Sequence, residues 1–573
     1  MKKNTLPVLI IVGLIVIVLI FIGVSAVIDA LTPTTERANL TEYYEIENES
    51  QVAIVLDNEV LDSYATRIDG EVYLDFRFIY NNLSSRFYWD SNENILLYTT
   101  SNTIFSAEAE ATSYMKDKDS INYGKTLVKA TADSAWVHID FIKELTNIRI
   151  NYHDNPGRIV ITKTWGQVNV ASAKEVAYVR EKNHIKSPIL SDLEAGTSVT
   201  ILDSSNNWYK VATADGFIGY VESQYLTEAK TEQLISEKPA ETFDYRKLDK
   251  PFNLLWHQTM NTSANAKISS ILSKSKGVNV ISPTWFKIKD NNGNISSIAA
   301  EDYVKYCHSQ GVQVWGLVSN FEVDDVDSSY VLTHTSTRHN LVNQLIAKAL
   351  QYDLDGINVD FESMNGPKVR DAYIQFLREL STKCEDNDLV LSTDVPVPAP
   401  YNDFYSYGEQ SLFVDYVIIM GYDEHYGQKT GAGSVASLDW TEEAVQNMLE
   451  EGVPSNQIVL GMPFYTKLWS LTPKSEENSP EVTYVIGFEN LGMNSAQNWM
   501  NNNVDEPTWL EDCGQYYGEA TKKGVIYKMW LEDTTSLEKR LQLMKSYNLA
   551  GAAFWKSGLE VDKVWDLIIK YIN

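Results

Sequence analysis

The sequence predicts a multidomain protein whose carboxy-terminal half is an α/β domain, a (β/α)8 or TIM barrel with an insertion. The chain has 573 residues, more than one ordinary domain contains. In its second half, apolar β-type segments alternate with amphipathic stretches, which is typical of repeated βα units. Eight such segments fit a closed barrel. Small β-rich modules and an N-terminal transmembrane helix are expected to precede it.

The amino terminus predicts a membrane anchor over residues 1–30. Two lysines lie within residues 1–3, and an uninterrupted apolar run covers residues 6–28. At 1.5 Å per residue this run spans about 34 Å as a helix, enough to cross the hydrocarbon core of a bilayer. The lysines place the short tail in the cytoplasm and all later domains outside the cell. The alternative is a signal peptide cleaved near Ser25-Ala26, followed by secretion, although signal peptides have shorter apolar regions.

The charge of the chain excludes nucleic acid as a partner. The formal net charge is −29 and the pI is about 4.7. Phosphate binding needs basic patches, and the sequence has none. An anionic cell wall would not be attracted by the net charge either, so binding to a wall would depend on local sites.

Residues 48–165 alternate short β-type runs with turns and carry a weak internal repeat. The run Val72-Tyr73-Leu74 recurs as Val137-His138-Ile139. This segment resembles the small module named after the amino-terminal domain of copper amine oxidases. The resemblance implies neither copper nor a catalytic centre, and we expect a spacer or a wall contact.

Residues 174–228 combine aromatic runs with glycine turns, as in 207–211 and 215–221. They resemble a bacterial SH3-type module, a small barrel that commonly binds peptidoglycan cross-bridges. Residues 229–247 are polar and charged, and we predict a linker there. The barrel domain then occupies residues 248–573. Its eight predicted strands cover 252–256, 278–282, 313–318, 356–361, 389–394, 416–420, 458–463 and 550–555.

The fourth predicted strand brings polar side chains to one face. Residues 355–362 read Asp-Gly-Ile-Asn-Val-Asp-Phe-Glu, so Asn358, Asp360 and Glu362 share a face opposite two apolar residues. A carboxylate beside a glutamic acid makes its ionisation harder, which keeps a general acid protonated for cleavage of a glycosidic bond. The alternative is a solvated strand edge with three polar side chains.

The octapeptide resembles the D-x-x-D-x-D-x-E signature of glycoside hydrolase family 18, the chitinase and N-acetylglucosaminidase family. Residues 415–423, 461–465 and 551–555 resemble three further family motifs, in the family's order. The resemblance implies that the insertion, within residues 469–527, is a small α+β subdomain. In such barrels the chemistry lies at the carboxy-terminal ends of the strands, where Asp360, Glu362, Tyr422, Asp423, Tyr465 and Trp555 are expected.

By resemblance, three residues are catalytic. Glu362 protonates the leaving oxygen, Asp360 orients the substrate acetamide, and Tyr422 donates its hydroxyl to the acetamide carbonyl. No metal or other cofactor is implied, because no metal-ligand spacing connects the histidines near strand ends. The predicted substrate-binding residues, for some of which simple packing is the alternative, are Asp423, Trp555, Asn358, Met420, Tyr465 and Trp285.

One position departs from the family pattern. Asn358 stands where the commonest motif has an aspartate. Two buried aspartates cannot then share a proton within this strand, and Asp360 is expected to ionise more readily without that neighbour.

These features predict an anchored extracellular enzyme that hydrolyses β-1,4 bonds after N-acetylglucosamine by retaining, substrate-assisted catalysis. The anchor and the SH3-type module favour peptidoglycan as the polysaccharide substrate. A chitinase-type endohydrolase is the first alternative. The second is a non-catalytic lectin on the same barrel, although lectins of this family typically lose the acid that Glu362 supplies.

Overall fold

The computed structural model describes residues 6–572, apart from 206, 249–250, 322, 324, 363, 365 and 475–482. The chain divides into two compact units. The first comprises residues 1–89, 107–114 and 121–240, and the second comprises 90–106, 115–120 and 241–573.

The first unit begins with a long apolar helix, Leu6–Leu31. The most apolar 18-residue stretch within residues 7–31 has a mean hydropathy of 3.4, and none of that stretch is buried inside the rest of the protein. The helix is therefore long and apolar enough to cross a membrane, as the sequence predicted. A short helix, Leu40–Tyr43, follows it.

The next module is built on a seven-stranded sheet. The two copies of the sequence repeat lie on neighbouring strands of this sheet. Strand Glu71–Asp75 contains the first copy and pairs antiparallel with Ala135–His138, which contains most of the second, so that Leu74 is opposite Val137. Each copy runs directly into a helix, Phe76–Phe78 (continued by a π-helix, Ile79–Leu83) and Ile139–Leu145. The remaining strands of this sheet are Gln51–Leu56, Glu59–Ile68, Val128–Ala130, Arg149–His153 and Arg158–Thr162. Five further short strands, Phe87–Asp90, Ile95–Thr99, Ile104–Glu108, Ser113–Lys116 and Asp119–Asn122, lie within residues 87–122.

The SH3-type module extends beyond the predicted residues 174–228. Strand Gly166–Ser172 pairs antiparallel with Lys230–Leu234, so the segment predicted as a linker over 229–247 begins with a strand of the module's own sheet. The polar side chains of Lys230–Leu234 gave no strand signal because nearly all of them are exposed. The other strands are Ala177–Arg180, Ile189–Leu193, Ser198–Ser205, Trp208–Ala212 and Ile218–Glu222.

The second unit is built around the predicted closed barrel, and all eight strands form where the sequence placed them. Neighbouring strands are parallel throughout, and the eighth pairs with the first. The strands are β1 Phe252–His257, β2 Val280–Pro283, β3 Gln313–Ser319, β4 Gly356–Asp360, β5 Val390–Val395, β6 Tyr416–Met420, β7 Ile458–Pro463 and β8 Gly551–Trp555. A hairpin, Phe286–Ile288 with Ile295–Ser297, follows β2.

The closure of the barrel requires a glycine at the first position of β8. Gly551 is opposite Phe252 of β1, and a Cβ atom at Gly551 would lie only 2.2 Å from the Phe252 carbonyl oxygen. Any side chain there would push the two strands apart. Phe252, Trp315 and Tyr416 fill the interior at the same end, with ring centroids 4.8–5.8 Å apart.

Helices follow the strands and cover the outside of the barrel. They are α1 Ile268–Leu272, α2 Glu301–Ser309, α3 Thr335–Tyr352, α4 Arg370–Asp386, α5 Tyr407–Gln410, α6 Leu438–Glu450, α7 Thr534–Ser546 and α8 Val564–Ile572, with Ser328–Thr333 before α3. The insertion between β7 and β8 is an α+β subdomain, as expected. It contains strands Tyr465–Lys474, Thr483–Gly492, Thr508–Leu510, Gln515–Lys522 and Val525–Leu531 and helix Met493–Asn503.

A buried ion pair joins α7 to the segment that precedes it. Arg540 and Glu532 have fully buried side chains and are in direct contact. Arg540 also donates to the Ala436 carbonyl oxygen at 2.8 Å, and Gln515 donates to Glu532 at 3.0 Å. Burial raises the pKa of Glu532 even though the Arg540 charge lowers it.

We predict that Arg540→Met lowers the free energy of unfolding by about 3–5 kcal/mol, because it leaves a buried carboxylate without its cation. In the variant, folding favours the protonated form of Glu532, so stability falls as pH rises, and the loss should be larger at about pH 8 than at about pH 5. Denaturant unfolding measures both values. In the control variant Lys276→Met, which breaks an exposed pair with Asp566, we expect a change within about 0.5 kcal/mol. Equal losses in the two variants would contradict this account.

Candidate active site

A cavity of ≈ 460 Å³ opens at the carboxy-terminal ends of the barrel strands. Its lining combines carboxylates with aromatic side chains. The lining residues are Trp256, Gln258, Thr284, Leu317, Ser319, Phe321, Asp360, Glu362, Asp394, Pro396, Val397, Tyr401, Met420, Tyr422, Asp423, Tyr426, Trp440 and Trp555.

Strand β4 and the residues after it deliver two of the carboxylates. Asp360 is the last residue of β4 and is buried, whereas Glu362 is exposed to the cavity two residues later. Phe361, between them, points the other way and stacks on Phe376 of α4 with ring centroids 5.3 Å apart. The Tyr405 hydroxyl donates to the Phe361 carbonyl oxygen at 2.8 Å. The end of β4 is therefore held from both sides.

Asn358 lies below the cavity, fully buried inside the barrel. Its Oδ1 accepts hydrogen bonds from Trp256 Nε1 at 3.2 Å and Ser282 Oγ at 3.0 Å. Its Nδ2 donates to Ser392 Oγ at 3.0 Å and to Asp394 Oδ1 at 2.8 Å. Asn358 thus connects four strands and does not line the cavity, so its predicted role in substrate binding is wrong.

Asp394 is a third carboxyl group of the site, and the sequence interpretation missed it. It is opposite Asp360 in the parallel register of β4 and β5 and is 2 % exposed. Burial raises the pKa of the Asp394 carboxyl, hydrogen bonds from Asn358 and Trp256 lower it, and the charge of Glu362 raises it further. The only sequence signal was an aspartate at the end of a predicted strand.

The end of β6 supplies a buried hydroxyl and a carboxylate. Tyr422 lines the cavity, and burial raises its pKa well above the usual value, so the hydroxyl keeps its proton. Asp423 follows with φ at +61°, and it forms an ion pair with the buried Lys467 of the inserted subdomain. Tyr465 lies behind Tyr422 at a ring-centroid distance of 6.4 Å and does not line the cavity.

Aromatic rings form the walls. Trp555 of β8 and Trp256 of β1 are in edge contact with ring centroids 5.9 Å apart, and Trp440 completes the tryptophan set. Tyr401 and Tyr426 are exposed at the rim. Sugars pack their C–H faces on such rings, and their hydroxyls need polar partners. This mixture suits a carbohydrate.

Six of the nine predicted site residues meet in the cavity: Asp360, Glu362, Met420, Tyr422, Asp423 and Trp555. Trp285 does not, and its predicted role as a substrate-binding residue is wrong. Trp285 is 1 % exposed, donates to Asn265 Oδ1 at 2.9 Å and packs edge-on against Tyr303. Its ring is committed to the protein core.

Within the described residues, no group of three or more histidine, cysteine, aspartate or glutamate side chains is arranged to hold a metal ion. His257, at the end of β1, is buried and forms a hydrogen bond with the Tyr303 hydroxyl at 3.0 Å. Burial lowers its pKa to about 4, so it is neutral at neutral pH. It belongs to the packing of β1 against α2.

A closed (β/α)8 barrel with carboxylates and aromatic walls at the carboxy-terminal ends of its strands is an architecture of glycoside hydrolases. Residues 255–560 match the family model described as glycosyl hydrolases family 18, and the chain belongs to this family. Residues 175–227 match a bacterial SH3 domain.

Relatives support the same assignment. The chain is 26% identical over 323 residues to an uncharacterized glycosylase, YvbX, of Bacillus subtilis, covering 54% of this chain and 89% of the relative. It is 25% identical over 258 residues to a cortical fragment-lytic enzyme of Bacillus anthracis, covering 44% of this chain and 57% of that enzyme. The solved C-terminal domain of a candidate chitinase from Desulfitobacterium hafniense has the same fold, with a TM-score of 0.51, 18% identity and coverage of 57% of this chain and 100% of that chain.

We predict that Tyr405→Phe reduces both stability and turnover. The change leaves the buried Phe361 carbonyl without its donor, at a cost of about 1–3 kcal/mol. Because that carbonyl precedes Glu362, loss of the anchor should also lower kcat on a soluble glycan at least about tenfold. Tyr547→Phe, which removes a hydroxyl bonded to Glu442 outside the cavity, should leave kcat unchanged. A Tyr405→Phe protein with wild-type kcat would contradict the positioning role.

Proposed function

We propose that this glycoside hydrolase is a membrane-anchored extracellular enzyme that cleaves β-1,4 bonds following N-acetylglucosamine in peptidoglycan. The observation that carries the proposal is the cavity itself, which Glu362, Asp360 and Tyr422 line together with three tryptophans. Glu362 is exposed, Tyr422 is half-buried and Asp360 is buried. An acid that reaches the cavity next to polar groups that stay dry is what protonation of a leaving oxygen needs.

The proposed mechanism is substrate-assisted. Glu362 gives its proton to the glycosidic oxygen while the bond from that oxygen to C1 breaks. The substrate's acetamide carbonyl oxygen attacks C1 and forms an oxazolinium, whose positive N–H is stabilised by Asp360. Tyr422 donates its hydroxyl to the acetamide. Water then attacks C1, with Glu362 as the base, and the product keeps the original configuration.

The cavity walls would set where the sugar lies. Trp555 would form the apolar floor beneath the ring at the cleavage point, and Asp423, held by Lys467, would accept hydrogen bonds from sugar hydroxyls. Met420 adds an apolar contact. The exposed rings of Tyr401 and Tyr426 would extend the binding surface along the glycan.

Peptidoglycan is favoured over chitin by features outside the barrel. The apolar helix Leu6–Leu31 would hold the enzyme at the cell surface, and the SH3 domain would contact cross-bridges of the wall. The module over residues 48–165 would act as a spacer or wall contact. Two of the relatives are named cortical fragment-lytic enzymes, which supports a cortex-type substrate for this chain. Secretion after cleavage of the helix remains the alternative location.

Two other functions use the same cavity. A chitinase-type endohydrolase is supported by relatives named as chitinases. A lectin would bind without hydrolysis, and the exposure of Glu362 to the cavity argues against it, because binding alone does not need an acid at that place.

The first experiment separates these functions. Detergent-solubilised full-length protein is incubated with peptidoglycan and, separately, with chitin oligomers, and mass spectrometry identifies the new reducing ends. N-acetylglucosamine ends from peptidoglycan are expected. Muramic acid ends, cleavage of chitin alone, or no cleavage would overturn the proposal in favour of a muramidase, a chitinase or a lectin.

We predict that Glu362→Gln lowers kcat at least about a hundredfold, since the amide keeps the size of the side chain but has no acidic proton to give. Binding of a glycan, followed by tryptophan fluorescence, should persist because the aromatic walls are untouched. Glu511→Gln, far along the chain in the inserted subdomain, is the matched control and should retain wild-type turnover. More than about a tenth of wild-type kcat in Glu362→Gln would contradict the assignment of the acid.

We also predict that hydrolysis requires the acetamide group. A fully deacetylated glycan of the same length lacks the oxygen that attacks C1, so no reducing ends should form, even at concentrations that saturate binding. Partial reacetylation should restore cleavage in proportion to the acetamides present. Efficient hydrolysis of the deacetylated glycan would indicate a protein nucleophile instead.

A further inference from the structure

The buried carboxyl of Asp394 has no role in the mechanism described above. It is opposite Asp360 in the register of two adjacent parallel strands, so both side chains point to the same side of the barrel wall. Asp394 is 2 % exposed, and Asp360 is 6 % exposed. Within the described residues, no lysine or arginine forms an ion pair with Asp394.

Among the described residues, the groups that interact with Asp394 carry no positive charge. Asn358 of β4 donates to Asp394 Oδ1 at 2.8 Å, and Trp256 of β1 is a further donor to it. The ionisable groups that face it are Asp360 and Glu362 at the end of β4, Tyr373 of α4 and Tyr422 after β6. Burial keeps both tyrosines protonated. Asp394 therefore faces neutral donors and two other acids.

Two buried carboxylates on neighbouring strands cannot both be charged at low cost. Asp394 is less exposed than Asp360, so ionisation costs it more hydration. This loss outweighs the hydrogen bonds from Asn358 and Trp256, which favour the carboxylate. The neutral form is thus favoured at Asp394, and the single negative charge is left to Asp360 beside the cavity.

We propose that Asp394 is a positioning residue of the active site, which holds one proton beside Asp360 and so keeps the pair at one negative charge. Asp394 on β5 plays this part because position 358 on β4 is an amide, which cannot hold an acidic proton. The idea rests on the proposed function, in which Asp360 acts as the anion that stabilises the acetamide N–H. It adds that the charge of Asp360 depends on a proton held by the next strand.

The first test is Asp394→Asn, which keeps shape and hydrogen bonding but cannot ionise. In the wild type Asp394 keeps its proton while Asp360 ionises, so the acid limb of the pH–kcat profile should not move in the variant. Once Asp394 ionises at alkaline pH, its charge opposes the loss of the proton from Glu362. Without that charge, the alkaline limb should move to lower pH by about one unit, while kcat at the optimum stays within about tenfold. Ser392→Ala, which removes the other acceptor of Asn358 Nδ2 without a charge change, should leave both limbs in place.

The second test moves the carboxyl between strands. Asn358→Asp alone puts two buried carboxyls at hydrogen-bond distance and should lower both the melting temperature and kcat. The double variant Asn358→Asp/Asp394→Asn restores one amide and one acid. If the two changes acted independently, its kcat relative to the wild type would equal the product of the relative kcat values of the two single variants. We expect it to be at least about fivefold higher than that product. Additive effects, or an unchanged alkaline limb in Asp394→Asn, would overturn the role of Asp394.

An infrared difference spectrum decides the protonation directly and does not need turnover. At neutral pH the wild type minus Asp394→Asn spectrum should contain the carbonyl band of a protonated carboxylic acid. A carboxylate band in its place would overturn the proposal, even in a fully active enzyme. If the wild type cleaves no glycan, the proposed function fails, and the infrared result still decides whether Asp394 holds a proton.

Discussion

The parallel closure of the barrel is the constraint on which the site depends. Gly551 lets β8 approach β1 at a distance that no side chain permits, and the ring of eight strands closes there. Once the ring is closed, every register is fixed, including the one that sets Asp360 opposite Asp394. The carboxyl groups of Asp360 and Asp394 meet because their strands are neighbours in a closed sheet, and a hydrogen bond from Asn358 holds the Asp394 carboxyl.

The site separates acids by depth. Glu362 is exposed to the open cavity, Asp360 is buried in its wall, and Asp394 is the most deeply buried of the three, beside Asn358. Because desolvation disfavours a charged carboxyl more strongly at greater depth, acids of one chemical type acquire different states. Burial keeps the hydroxyls of Tyr422 and Tyr373 protonated, so they add neutral groups around these acids.

The sequence predicted the barrel because strands of a parallel barrel are buried on both faces and read as continuous apolar runs. The two acids at the end of β4 and the side chains that end β6 and β8 were predicted as site residues from their resemblance to family motifs, and the structure brings them together in one cavity. Trp285 and Asn358 were misplaced, since a residue type does not show whether its side chain points into a cavity or a core. Asp394 was missed because its place in the site depends on its lying opposite Asp360 on the neighbouring strand, and this pairing cannot be seen in the sequence. Lys230–Leu234 was taken as a linker because an exposed strand with polar side chains has no apolar pattern.

The central claim is that this barrel supplies an acid and a stabilising anion, and that the substrate supplies its own nucleophile. Relatives named as a glycosylase and a chitinase agree with glycosidase chemistry in general. The proposed route differs from direct hydrolysis in that the substrate's acetamide oxygen bonds to C1 before water does. Proton NMR of a β-linked N-acetylglucosamine oligomer during the first turnovers identifies the anomer that the enzyme releases. Two displacements at C1 predict the β anomer first, followed by slow mutarotation to the α anomer. Initial release of the α anomer would mean a single direct attack by water and would contradict the account.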